Sequence, residues 1–129
     1  MIGLISETDK LHDISKNFFE LIVSKTLNDI FIPSSAYIEY ELVLKSKGIG
    51  EVDILKDIIH FQNIENIKEV PLDSFIIASA SNLRKLYNVT YFDSLHCASA
   101  LLTDGTMIST DKEYKKILNL KTIDPKSFI

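Results

Sequence analysis

Apolar positions recur along the chain with helical spacing in some stretches and as short strand-like runs in others, and the two kinds alternate. Leu11, Ile14, Phe18, Leu21 and Ile22 follow helical spacing, which predicts an amphipathic helix over residues 11–27. Asp29-Ile-Phe-Ile-Pro33 is a short apolar run closed by proline and reads as a buried strand. Ser34 or Ser35 is suited to cap the next helix, which ends near Gly48. A third helical pattern runs through Ile54, Leu55, Ile58 and Ile59, and residues 64–70 are ambiguous between strand and loop. Ile76, Ile77, Ala80, Leu83 and Tyr87 mark a longer helix over about 73–88. Residues 92–102 form another, rich in small side chains and stopped by Asp104-Gly105. Thr106 to Ser109 reads as a strand, Asp111 to Leu118 as a helix and Lys121 to Asp124 as a last strand. Short strands alternating with helices predict one α/β domain over 1–129. Its parallel sheet is covered on both faces, a three-layer α/β/α arrangement. Sites in such sheets form where strands pass into helices.

Composition narrows the function classes. Hydrophobic residues at 46% and charged residues at 25% are globular values, so one core can form. No apolar run approaches the roughly 18 residues of a membrane span, and the apolar start Met1 to Ser6 is too short for a signal peptide. The single cysteine, Cys97, lies among small apolar residues and is expected to be buried. A cytoplasmic protein fits these features. The net charge of −4 argues against non-specific coating of nucleic acid, which runs on phosphate neutralisation by Lys and Arg. The charge is uneven, however. Residues 1–70 hold 12 acids against 7 bases, and residues 71–129 hold 6 against 7. Lys112, Lys115, Lys116, Lys121 and Lys126 lie in the last stretch, where they are available to a polyanion.

Three acids stand out. At about 100° per residue, Glu39 falls on the apolar side of its helix, between Leu42, Val43 and Ala36. An acid facing a core needs a partner, which is either a metal ion or a basic side chain. Glu41 points the other way and has Lys45 four residues on, the order of an exposed ion pair. Asp93 begins a helix, where aspartate is a preferred N-cap; that structural explanation competes with a functional one. Asp111 has a structural alternative too, because Thr110-x-x-Glu113 is a capping box and an acid in the first turn suits the helix dipole. Ser109 stands beside the strand end, able to orient a carboxylate or a water. His96, with no second histidine at ligand spacing, reads as a packing or supporting residue.

Read together, Ile32-Pro-Ser-Ser-Ala-Tyr-Ile-Glu39, Tyr91-Phe-Asp93-Ser-Leu-His-Cys-Ala-Ser-Ala100, Met107-Ile-Ser-Thr-Asp111-Lys-Glu-Tyr114 and the closing Leu120 to Pro125 resemble the PIN domain. This is the nuclease fold of the VapC-like toxins of toxin–antitoxin pairs. The resemblance implies Glu39, Asp93 and Asp111 as catalytic residues and ligands of Mg²⁺ or Mn²⁺, with Ser109 as a supporting hydroxyl. It implies RNA as substrate, an antitoxin protein as partner, and a homodimer. Members of the family open with a strand that carries a further aspartate. Met1 to Asp9 resembles the segment after that strand, and neither Glu7 nor Asp9 is placed to replace the acid. The first central strand is therefore expected to be missing, through a truncated start or through degeneracy, and cleavage by the chain as given is expected to be slow or absent.

The chemistry suits the residues. Phosphodiester hydrolysis needs an activated water and a stabilised leaving oxygen, and hard cations on carboxylates supply both. Oxygen-only ligation argues against zinc. No glycine-rich phosphate loop, Ser/His/Asp order or Cys-x-x-Cys pair offers a different reaction. Three functions remain: a metal-dependent ribonuclease, a catalytically degenerate PIN-like module that binds RNA or protein, and a generic α/β interaction domain whose acids are caps and surface charges.

Overall fold

The computed structural model describes residue 20 and residues 30–65, 67–109, 111–124 and 127. The helix expected over 11–27 lies outside the described residues, except that Glu20 is helical. The expected loss of a first strand concerns residues outside them as well. The chain divides into two compact units, Met1–Val70 and Pro71–Ile129.

In the first unit, strand β1 (Ile30–Pro33) leads into helices α1 (Ser34–Ser46) and α2 (Glu51–Gln62) and then strand β2 (Ile67–Val70). The strands pair in parallel, with Ile30 opposite Ile67 and Pro33 opposite Val70. A parallel pair needs a long crossover, and the two helices provide it. Proline at the strand end removes no ladder donor that is needed further on. Helix α1 starts without a serine cap. Its N-cap is Pro33, with no side-chain bond, and the Ser34 hydroxyl instead donates to the Val70 carbonyl at 3.1 Å. Ser35 is fully buried. The helix stops as expected at Gly48, whose φ of +82° suits glycine, with Gly48 N–H donating to Lys45 O and Ile49 N–H to Leu44 O.

The core of this unit holds Ile32, Leu44, Ile54, Phe61 and Val70. Tyr40 meets Phe61 edge-on at 5.9 Å, and its hydroxyl donates to Asp57 across the two helices. Three expected burials do not occur. Leu42 is 51% exposed, as is Leu55 at 57%, with Ile59 exposed beside it. Each helix carries more than one apolar stripe, and on α2 the buried one runs through Ile54 and Phe61.

Lys45 sits 2.7 Å from both Glu41 and Glu51 on the surface. Hydrogen bonds that it donates to Glu41 and then Glu51 hold its ammonium above the ordinary lysine range. Exposed pairs of this kind add little to stability. Glu41→Gln should therefore leave the melting midpoint by circular dichroism nearly unchanged. A large drop would mean that Glu41 has a structural role beyond this pair.

The second unit contains α3 (Ser74–Leu86), α4 (Tyr91–Leu101), β3 (Thr106–Ile108), a 3₁₀ turn (Lys112–Lys116) and β4 (Lys121–Ile123). Asp73 caps α3 by accepting from Ile76 N–H. Helices α3 and α4 pack against each other. Ile76, Ala80 and Leu83 are buried on α3, and Ser94 through Ser99 are all buried on α4. Small side chains along α4 permit that close packing. Strands β3 and β4 are also parallel, with Thr106 opposite Lys121 and Ile108 opposite Ile123. The helix expected over 111–118 is only a 3₁₀ turn. Tyr114 within it and Ile117 just after it are buried and three apart, the spacing a 3₁₀ turn places on one face, while Leu118 is exposed.

Among the described residues, no helix is long and apolar enough to cross a membrane. Helices alternating with parallel strand pairs make this an α/β fold.

Candidate metal-binding carboxylates

Asp93 is not the cap of α4. Thr90 is the N-cap, and its hydroxyl accepts from Asp93 N–H at 3.3 Å. The Asp93 side chain, in the first turn, instead accepts a 2.7 Å hydrogen bond from the Tyr114 hydroxyl, 21 residues away. The same helix start is clamped from α3. Arg84 donates to the Ser94 hydroxyl at 2.6 Å, and its guanidinium lies 5.0 Å over the Tyr91 ring. The Ser94 hydroxyl in turn donates to Tyr91 O. Asp93 therefore sits, half-buried, on a helix end held by Thr90 and Arg84.

Asp111 follows β3 by three residues. Ser109 extends the strand pairing through its N–H to Ile123 O, and its hydroxyl accepts from Asp111 N–H at 3.0 Å. Asp111 is itself the N-cap of the 3₁₀ turn, accepting from Glu113 N–H at 2.9 Å. The capping box expected from Thr110 involves a residue outside those described. The Ser109 contact to Asp111 is with the backbone.

The two aspartates share a neighbourhood. The Tyr114 hydroxyl is pushed above the ordinary tyrosine range, chiefly by burial, then by its hydrogen bond to Asp93, and further by the charges of Asp93 and Asp111. The Cys97 thiol is pushed up to about 12, again by burial first and then by Asp93 and Asp111. Both carboxylates thus act on the same two buried groups. Cys97 is fully buried, as expected.

The shifted thiol has a consequence for stability. Its ordinary pKa is 9.0, and the folded value is higher, so the unfolded chain loses the proton more readily. The stability linked to Cys97 is complete below about pH 9 and is lost as pH rises towards 12. Denaturation followed from pH 8 to 11 should show this alkaline loss, and Cys97→Ala should reduce it. An identical alkaline slope in the variant would assign the effect to other groups.

Glu39 belongs to the first unit. It is half-buried on α1, between half-buried Ala36 and Val43 and exposed Leu42. His96 is buried and stacks on Phe92, consistent with packing. Among the described residues, no group of three or more His, Cys, Asp and Glu is arranged to hold a metal ion. Asp93 and Asp111 are both oxygen donors, and Mg²⁺ retains several waters and takes as few as one or two carboxylates, so the chemistry of these donors suits that cation. Around them Lys112 and Lys115 are exposed, whereas Lys116 is engaged by Asn88 O and Glu113.

Two residues that sequence reasoning passes over matter here, Tyr114 and Arg84. Tyr114 is legible only as an apolar-patterned aromatic three residues after Asp111. Nothing local marks Arg84.

A family model described as PIN domain matches residues 1–119. The fold is similar to a solved structure described as VapBC2 from Rickettsia felis bound to a DNA fragment from their promoter. That likeness has a TM-score of 0.67 and 19% identity and covers 95% of this chain and 91% of the other. No match was found among curated proteins.

Proposed function

The chain belongs to the PIN domain family, and from that premise we propose that it is a metal-dependent ribonuclease and the toxin of a toxin–antitoxin pair. The observation that carries the reading is that Tyr114, in the turn that Asp111 caps, donates to Asp93 at 2.7 Å and so ties the two carboxylates together in a chain of this family. In this reading Asp93 and Asp111 hold Mg²⁺ or Mn²⁺. Ser109 supports the site through the Asp111 backbone. A hard cation held by carboxylates supplies charge for the scissile phosphate and activates water at neutral pH. The chain's own residues position and bind. Arg84 and Thr90 fix the end of α4 that carries Asp93. Lys112 and Lys115, exposed beside Asp111, attract the RNA backbone.

The rest of the reading is one three-layer PIN domain in the cytoplasm, supported by a family match that runs through both units. The similar structure is a VapBC2 assembly with promoter DNA, and this supports an antitoxin partner here. A homodimer is included because Val52, Leu55 and Ile59 leave exposed apolar surface on α2.

One observation favours a second reading, a PIN module that binds RNA or protein without cutting: the absence of a three-acid group among the described residues. A single assay separates the two. Labelled single-stranded RNA is incubated with the protein and Mn²⁺ or Mg²⁺, and cleavage and binding are measured with EDTA controls. Metal-dependent products support the ribonuclease; retention of RNA without products supports the binding module.

A further inference from the structure

We infer that Tyr114 is a positioning residue for Asp93, its hydroxyl holding Oδ1 of that carboxylate so that the other oxygen is presented in one orientation to the cation. The inference rests on the metal-site reading above and deepens it. Its basis is geometric. The Tyr114 hydroxyl donates to Asp93 Oδ1 at 2.7 Å, across 21 residues of chain. The Tyr114 residue is 3% exposed, so its ring is fixed by packing and the hydroxyl has little room to wander.

The turn that carries Tyr114 also fixes Asp111. Asp111 caps it by accepting from Glu113 N–H, and Tyr114 is the third of its five residues. One short turn therefore sets both carboxylates, one through a cap and one through a phenol. A carboxylate on a two-torsion side chain otherwise samples several rotamers, and a cation that takes only a few protein ligands needs them preset. Phenylalanine would fill the same slot for the ring, so the hydroxyl is the part that packing does not require. Outer partners of metal ligands act in this way, by orienting the ligand before the metal arrives.

The test is Tyr114→Phe, which removes one oxygen and keeps the ring. Mn²⁺ binding is read by electron paramagnetic resonance of the free ion, and folding by the melting midpoint. The expected result is a midpoint close to that of the parent and Mn²⁺ affinity weaker by about 10-fold or more. In an Asp93→Ala background the same change should leave the residual Mn²⁺ affinity as it is, because the partner through which it acts is gone. An unchanged affinity in Tyr114→Phe, while Asp93→Ala weakens binding, would overturn the positioning role and leave the metal site standing. If Asp93→Ala itself leaves Mn²⁺ binding intact, the metal-site reading fails, and the inference with it. A collapsed midpoint in Tyr114→Phe would make the hydroxyl structural and overturn the inference, as would an equal loss of affinity in the Asp93→Ala background.

Discussion

Asp93→Asn is expected to lower RNA cleavage about 100-fold or more in Mg²⁺ or Mn²⁺, with the fold intact. The substitution keeps the shape of the side chain and an oxygen that can accept from Tyr114, so the contact at 2.7 Å has a substitute. The change removes the negative charge. A neutral amide is a poor ligand for a hard cation, and losing a direct ligand should cost at least as much as losing an outer partner, about 10–100-fold. The helix start should survive, because Thr90 rather than Asp93 is the cap and only the Asp93 backbone N–H is used. Glu41→Gln, in the surface pair with Lys45, is the matched control and should cleave like the parent. The measurement is the initial rate on labelled RNA, with circular dichroism on the same samples. Parental cleavage by Asp93→Asn would remove Asp93 from the site.

The elements that are legible in the sequence are those whose causes are local. The apolar run closed by Pro33 appears as β1, Gly48 ends α1, and Asp104-Gly105 follows the end of α4. Parallel pairing is also readable, because short strands separated by helices have few other solutions. The misreadings share a cause, a partner distant in sequence. Ser34 is a plausible cap, but its hydroxyl is engaged by Val70, 36 residues away. Asp93 suits a cap for a helix that begins near Phe92; the helix starts at Tyr91, after Thr90. Periodicity places Leu42, Leu55 and Ile59 on apolar stripes but does not say which stripe is covered. The same holds for the site. Asp93 and Asp111 are nameable from their neighbours and from a family pattern. The bond from Tyr114 to Asp93 is not, because it depends on a turn returning to the start of a helix.

The packing that carries Asp93 leads to the second large effect, Ala80→Leu. Ala80 is fully buried on α3, the helix packed against α4, and α4 is buried without a break from Ser94 to Ser99. Extra carbons there have no space, so side chains must leave their rotamers or the helices must separate. The expected cost is about 1–3 kcal/mol, which lowers the melting midpoint by roughly 4–12 °C for a chain of this size. The same substitution two residues earlier supplies the control. Ala78 is exposed on the same helix, and Ala78→Leu should stay within about 0.5 kcal/mol of the parent. Helix propensity is nearly equal for the two variants, so their difference isolates packing. Cleavage per folded molecule should also fall in Ala80→Leu, since a displaced α4 shifts Asp93 away from the Tyr114 hydroxyl. Equal melting midpoints for the two variants would show that the α3–α4 interface yields more readily than its burial implies. A destabilised Ala80→Leu that cleaves normally once folded would show instead that Asp93 keeps its place without tight support from α3.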